Sequence, residues 1–139
     1  MRKKLLIFSL VLIAVIITVF MINFNRIPIH KPISLEEVET IVFFGTYRGI
    51  KEATQEEKVR FIKWFNSAYD IRLNKYFAGT TPESIISIEL KSGKRIGVFK
   101  SGFNFEIQRD DVKNKNISYW AKQKDIEKLL ADLSSKKRE

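Results

Sequence analysis

The chain has 139 residues, with 25 Lys and Arg against 16 Asp and Glu, one histidine and no cysteine. The absence of cysteine excludes disulfide bonds, thiolate catalysis and cysteine-ligated metal sites. Beyond the apolar N-terminal segment and the short stretch 25–35, about 105 residues remain, a length that fits one domain with a single hydrophobic core.

The N-terminal segment is the most apolar part of the chain. Residues 1–4 are basic, and residues 5–24 are uncharged and almost entirely apolar. A helix of this length spans about 30 Å, the thickness of the hydrocarbon core of a bilayer. The pattern predicts a cytoplasmic basic start over 1–4 and a transmembrane signal anchor over 5–24. The alternative is a cleaved signal peptide, which usually has a shorter apolar region and a small-residue cleavage site.

The charges on either side of this segment predict its orientation. Arg2, Lys3 and Lys4 precede it, whereas Arg26 and Lys31 follow it. Because Lys and Arg accumulate on the cytoplasmic side of a membrane span, the N-terminus is expected inside the cell. We therefore expect a single-pass cell-membrane protein with an extracytoplasmic C-terminal domain.

Residues 25–35 are predicted to form a tether. Pro28 and Pro32 prevent a helix from continuing and favour extended backbone. His30, the single histidine, lies in this segment. A lone histidine beside a predicted membrane span is interpreted as a polar residue of the interface and not as a metal ligand or catalyst.

The first half of the domain contains one predicted strand and one predicted helix. Residues 38–44 are rich in β-branched and aromatic side chains, which favours a strand, and residues 34–37 fit one helical turn before it. Thr54 and Glu57 match a capping box, and apolar residues then recur at three- and four-residue spacing. This periodicity predicts an amphipathic helix over 55–69.

The second half of the domain alternates between apolar and polar residues. Residues 70–83 are irregular, and a three-strand meander is predicted over 84–91, 95–100 and 103–108. A short strand over 117–121 and a closing helix over 123–135 follow, before the charged tail 136–139. The predicted order is β-α-β-β-β-(β)-α. The fold class is therefore α+β, with one domain over 36–135 in which two helices pack on one face of an antiparallel sheet.

The chain resembles a group of small single-pass membrane proteins of unknown function from low-GC Gram-positive bacteria. Three features carry the resemblance: the basic start with its apolar segment, the hairpin over 92–98, and the ending Ser118-Tyr119-Trp120-Ala121 followed by residues 125–130. The resemblance covers most of the chain. It implies a fold and a location and no activity.

No catalytic, metal-binding or cofactor-binding motif emerges from the sequence. A serine nucleophile needs a base within hydrogen-bonding reach, and neither a G-x-S-x-G motif nor a phosphate-binding loop is present. Asp110 and Asp111, with Asn114 and Asn116 nearby, lack the ligand spacing of an EF-hand and are interpreted as a solvated turn. The sequence therefore predicts no enzyme and no cofactor.

Cationic and aromatic side chains are the candidate binding residues. The cations predict a surface for an anionic partner, such as an anionic lipid, a wall polymer or an envelope protein; ordinary solvated strand edges are the alternative. Nucleic acid is not expected for a domain outside the cell. The aromatic side chains are candidates for a contact surface, with packing in the core as the alternative. The candidate cations are Arg48, Lys51, Lys91, Lys94, Arg95 and Lys100, and the candidate aromatics are Trp64, Tyr76 and Trp120.

These observations together predict a function. We expect a membrane-anchored, extracytoplasmic and non-enzymatic interaction module. The alternative is a small hydrolase or cell-wall-modifying enzyme that uses a pair of carboxylates.

Overall fold

The computed structural model describes residues 12–18, 29–74, 81–102, 104–112 and 115–136. Residues 12–18 form a helical segment, α1, and Leu35–Glu37 form a 3-10 turn. The remaining elements are β1 Val38–Gly45, β2 Gly49–Glu52, α2 Gln55–Asn66, β3 Tyr69–Leu73, β4 Ser84–Leu90, β5 Arg95–Ser101, β6 Asn104–Arg109, β7 Ile117–Lys122 and α3 Lys124–Ser134.

The seven strands form one antiparallel sheet with the order β2-β1-β4-β5-β6-β7-β3. Strands β4 to β7 follow one another both in the chain and in space. The β4–β5 hairpin turns at Gly93 and the β5–β6 hairpin turns at Gly102. Their φ angles of 78° and 57° suit glycine because it lacks a Cβ atom. The predicted α+β class, the antiparallel meander and the additional strand at 117–121 are confirmed.

The sequence pattern missed the two edge strands. All four residues of β2 are exposed, so this strand has no buried face to produce an alternating pattern. Strand β3 contains a bulge, with Asp70 at a φ of 53°, and β7 is its one partner strand among the described residues. The predicted helix over 55–69 consequently ends early, at Asn66, because the chain enters β3 at Tyr69.

Both α2 and α3 bury their apolar stripes in the same core as the inward side of the sheet. The capping box that starts α2 is present: Glu57 N donates to Thr54 Oγ1 at 3.3 Å, and Thr54 N donates to Glu57 Oε2 at 2.9 Å. The core contains aromatic and aliphatic side chains from both helices and from the central strands. Its least exposed members include Ile41, Phe61, Phe65, Ile86, Ile88, Ile96, Val98, Phe105, Ile107, Tyr119, Ala121, Ile126 and Leu130.

The predicted transmembrane anchor is corrected by the structure. Among the described residues, no helix combines the length and the apolar character that crossing a bilayer requires. Of the predicted anchor, the structure describes residues 12–18, which form α1. The rest of the predicted anchor, 5–11 and 19–24, lies outside the described residues, as does the basic start 1–4. The predictions of a signal anchor and of a single-pass location with an extracytoplasmic domain are therefore wrong.

Candidate functional site

One face of the sheet, here called the open face, is turned away from the core formed with α2 and α3. Because successive side chains of a strand point to opposite faces, the residues between the core positions of each strand lie on this face. On β4, for example, Ile86 and Ile88 are fully buried, while Ile85 is half-buried and Ser87 is exposed. The open face is therefore the surface of the sheet available for contact with a ligand.

A continuous row of side chains, here called the apolar row, crosses the open face in register. Each residue of the row is directly paired with its neighbour on the next strand, and five of the seven residues are aliphatic or aromatic. Ile50 on edge strand β2 is 76% exposed and Trp120 on β7 is 40% exposed. From one edge of the sheet to the other, the row contains Ile50, Phe44, Ile85, Phe99, Glu106, Trp120 and Arg72.

A second row, here called the polar row, runs beside the apolar row on the four meander strands. It consists of Ser87, Gly97, Gln108 and Ser118, again paired in register. Hydroxyl and amide groups of this kind donate and accept hydrogen bonds without carrying a charge. The open face therefore places a band of neutral hydrogen-bonding groups next to an apolar band.

A groove of about 650 Å³ lies over both rows. Ile85 and Phe99 contribute apolar lining, and Ser87, Gln108 and Ser118 contribute polar lining. Gly97 is needed for this shape, because a Cβ atom there would lie 2.6 Å from Cζ of Phe99. The Phe99 ring therefore lies across the position that a larger residue at 97 would fill.

The carboxylate of Glu106 holds the polar row in position. Its Oε1 accepts a hydrogen bond of 3.1 Å from Nε2 of Gln108 and a short hydrogen bond from the Ser118 hydroxyl. Glu106 also lies between Phe99 and Trp120 in the apolar row. Side chains that are held in this way lose less conformational entropy when a ligand binds.

Three cations of the open face and its edge at β3 lie near carboxylates. Arg95 Nη2 lies 3.7 Å from Oε1 of Glu89. At the β3 edge, Asp70 forms ion pairs of 2.9 Å with both Arg72 and Lys122, and these contacts lower the pKa of Asp70. This part of the surface is therefore of mixed charge and is not a basic patch.

The structure separates the six candidate cations. Lys91, Lys94 and Arg95 lie together at the turn between β4 and β5, whereas Arg48 lies in the turn between β1 and β2, at the opposite end of the sheet. Lys100 donates to Ser134 Oγ at 2.9 Å and lies 3.7 Å from Glu83. Of the six, Lys91, Lys94 and Arg95 therefore share one turn.

Lys51, the sixth candidate cation, forms an ion pair with a residue of helix α2. Its Nζ lies 2.7 Å from Oε1 of Glu57 in the first turn of α2. This hydrogen bond is the main reason why the pKa of Glu57 is lowered. Lys51 thus binds an acidic residue of its own domain.

The candidate aromatic residues have different environments. Trp120 belongs to the apolar row of the open face. Trp64 on α2 is partly buried against the core, beside Phe43 and Leu129. Tyr76 lies outside the described residues. Of the candidate aromatics that the structure describes, only Trp120 is therefore placed on the open face.

A second cluster, here called the Arg109 cluster, lies on the helix-covered side of the sheet. Arg109 is 2% exposed, and its guanidinium binds both carboxylate oxygens of Asp111 at 2.6 and 2.7 Å. It also donates to the carbonyl of Lys31 at 2.6 Å and lies over the Phe65 ring, 5.7 Å from the centroid. A buried bidentate ion pair of this kind is satisfied only while all of these groups remain in position.

His30 and Tyr119 complete the Arg109 cluster. The Tyr119 hydroxyl lies 2.8 Å from Nδ1 of His30 and accepts a 3.4 Å hydrogen bond from Nη1 of Arg109. Nε2 of His30 lies 2.8 Å from the carbonyl oxygen of Phe65. His30, predicted to be a polar residue of a membrane interface, is instead half-buried inside the domain.

The Arg109 cluster changes the pKa values of its members. Burial lowers the pKa of His30, and the nearby Arg109 charge lowers it further. Burial raises the pKa of Tyr119 to about 12. Burial is the largest single influence on Asp111 and Arg109 and opposes their ionisation, but their mutual hydrogen bonds and opposite charges together with the other polar contacts outweigh it, so the pKa of Asp111 is lowered and that of Arg109 is raised. The cluster therefore contains a charged Arg–Asp pair, a neutral tyrosine and a histidine that favours its neutral form.

Sequence reasoning missed the Arg109 cluster and interpreted Asp111 wrongly. The Asp111 side chain is 7% exposed, so it does not belong to a solvated turn. The available signal was the alternation of β6, which places Arg109 on the same face as Phe105 and Ile107. An arginine at an inward position needs a buried acidic partner, and Asp111 is two residues away.

Among the described residues, no group of three or more His, Asp or Glu side chains is arranged to hold a metal ion. Asp110, at the rim of the groove, accepts a 2.7 Å hydrogen bond from the backbone N–H of Arg95. Comparisons with known protein families, with curated proteins and with solved structures give no match.

Proposed function

We propose that this chain is a non-enzymatic binding domain and that its open face contacts a partner protein. The observation that carries the proposal is the apolar row, which crosses all seven strands in register and leaves Ile50 and Trp120 exposed. Aromatic residues and arginine are enriched at protein interfaces, and both occur in this row.

The dimensions of the open face suit a protein partner. Seven strands are separated by six spacings of about 4.8 Å, so the apolar row is about 29 Å long. A typical specific interface buries about 800 Å² on each partner. A face of this length, with the groove in its centre, is large enough for such an interface.

The charge distribution favours a protein over an anionic lipid or polymer. Anionic surfaces are recognised by clusters of unpaired Lys and Arg. On the open face Arg95 faces Glu89, and at the β3 edge Arg72 faces Asp70. The mixed charge and the central apolar row instead match the composition of a protein interface, so we place a protein partner first.

The groove favours binding over carboxylate-based hydrolysis. A hydrolase of that class needs two carboxylates facing one another across a substrate. Glu106 is occupied by Ser118 and Gln108, and Asp110 is occupied by the backbone of Arg95. Both carboxylates thus orient other groups of the domain.

Site-specific photo-crosslinking tests the proposal. A photoreactive amino acid replaces Ser87 on the open face or, as the control, Lys128, which is exposed on α3. In cells that express the full chain, we expect one discrete protein adduct from position 87 and none from position 128. The adduct from position 87 should disappear when Phe99→Ala is added to the same chain. Adducts formed equally from both positions would contradict an interface on the open face.

A further inference from the structure

Residues 29–34, here called the strap, bind the domain through contacts with three different elements. The side chain of Asn66 on α2 binds both backbone groups of Ile33, accepting from its N–H at 2.9 Å and donating to its carbonyl at 2.8 Å. Ile33 is 3% exposed, and the carbonyl of Lys31 accepts from Arg109 on β6. His30 adds the contacts with Tyr119 on β7 and Phe65 on α2.

The protonation state of His30 is determined by its partners. A carbonyl oxygen can only accept, so Nε2 of His30 must carry the hydrogen that faces Phe65. In a neutral imidazole the other nitrogen is then an acceptor, and Nδ1 receives the hydroxyl hydrogen of Tyr119. The Tyr119 oxygen remains free to accept from Arg109. With neutral His30, each of these hydrogen bonds therefore has one donor and one acceptor.

Protonation of His30 disrupts this arrangement. Nδ1 then becomes a donor that faces the Tyr119 hydroxyl. The hydroxyl hydrogen loses its acceptor, because Nδ1 of His30 is the only acceptor that it has in this chain of hydrogen bonds. The new positive charge on His30 also lies near the positive charge of Arg109 on β6. Both carboxylate oxygens of Asp111 are already bound to the Arg109 guanidinium. On the strap itself, Lys31 adds a further cation, paired with Glu37 at 3.9 Å. Helix α2 contributes the Phe65 carbonyl and ring at this position and no compensating carboxylate.

We propose that the strap is a proton-controlled latch, which neutral His30 holds against the domain and protonated His30 releases. Release breaks the contacts of Lys31 and Ile33 and uncovers the buried side of Tyr119. This inference depends on the Arg109 cluster alone and is independent of the function proposed for the open face.

The measurement follows the single histidine of the 139-residue chain by NMR. Because the chain has one histidine, its ring signals need no assignment among several residues. We expect them to titrate below the ordinary histidine value and to show the Nε2–H tautomer at about pH 7.5. The backbone N–H of Ile33 reports strap opening by hydrogen exchange, with Ile88 in the central strand β4 as the internal reference.

The expected result is a pH-dependent opening of the strap without unfolding of the sheet. Each unit by which the His30 pKa is higher in the released state than in the docked state makes opening about tenfold more favourable at low pH. Corrected for intrinsic exchange, the protection of Ile33 should fall between about pH 7.5 and about pH 5 and should stay well below that of Ile88 at every pH, because Ile88 exchanges only when the sheet unfolds.

His30→Gln is the matched variant. The glutamine amide can donate to the Phe65 carbonyl and accept from Tyr119, and it does not titrate. We expect Ile33 protection in H30Q to be independent of pH over the same range, and His30→Lys to reduce it at every pH. Equal pH dependence in the wild type and H30Q would overturn the proposal, as would a His30 that titrates with an ordinary pKa in the folded chain.

Discussion

The two faces of the sheet use the same strands for different purposes. On the face covered by α2 and α3, even the charged Arg109 is buried, and each of its three guanidinium nitrogens donates a hydrogen bond. On the open face, Ile50 and Trp120 remain exposed in a row with no helix above them in the described residues. The comparison separates residues that stabilise the domain from residues that are available to a partner. Four experiments test this separation.

Asp111→Asn is expected to have the largest effect on stability. It leaves the buried Arg109 charge without its carboxylate, and breaking a buried ion pair in this way costs about 3–5 kcal/mol. The neighbouring Asp110→Asn is the control, because an amide oxygen can still accept from the Arg95 N–H. Urea unfolding measures both; equal losses for the two variants would contradict the structural role of the Arg109 cluster.

Ile88→Ala and Ile85→Ala compare the two faces within one strand. Ile88 is 0% exposed in the core, so its truncation should cost about 2–5 kcal/mol, whereas Ile85 on the open face should cost less than about 1 kcal/mol. The unfolding free energy of each variant in urea provides the test. A cost for Ile85→Ala as large as that for Ile88→Ala would show that the open face is covered like the core.

Gly97→Ala tests whether the Phe99 ring lies over residue 97 in the groove. The new Cβ atom would meet the Phe99 ring, which must rotate away because the contact is only 2.6 Å. Since that ring lies at the end of a side chain on the open face, we expect a loss of stability below about 1 kcal/mol. The NMR shifts of the Phe99 ring should change clearly; unchanged shifts would mean that the ring does not lie over residue 97.

The pH dependence of stability is expected to be the smallest of these effects. Because the pKa of His30 is lowered in the folded state, the unfolded chain binds the proton more readily. The stabilisation that depends on neutral His30 should therefore be fully present above the unfolded histidine pKa of about 6.5. It should decrease as pH falls from there towards the folded pKa. Urea unfolding at about pH 7.5 and about pH 5.5 should show this decrease in the wild type and not in H30Q. A free energy of unfolding that increases on acidification would contradict this prediction.

The meander could be predicted from the sequence because its strands alternate cleanly. Ile86, Ile88 and Leu90 identify the inward face of β4, and Phe105 and Ile107 do the same for β6. The edge strands β2 and β3 gave no such signal, because an edge strand with little burial has no need for alternating residues. The number of strands in the sheet therefore depended on tertiary pairing that the local sequence does not encode.

The candidate site was predictable only in part. Trp120 was selected as an aromatic contact residue, and the structure places it on the open face. The row around it depends on strand register, since Phe44, Ile85 and Phe99 are far apart in the chain and become neighbours only through pairing. The membrane anchor predicted from the apolar N-terminal sequence was wrong, because no helix among the described residues is long and apolar enough to cross a bilayer.

The affinity of the open face for the crosslinked partner shows whether this surface is the interface. With the partner purified, the Kd of the full chain is compared with those of Phe99→Ala and Val59→Ala; Val59 is 50% exposed on α2 and serves as the matched apolar control. We predict that Phe99→Ala weakens binding at least about tenfold, as expected for an interface residue worth more than about 1.4 kcal/mol, and that Val59→Ala leaves the Kd unchanged. Weakening by Val59→Ala with no effect of Phe99→Ala would instead place the interface on the helices.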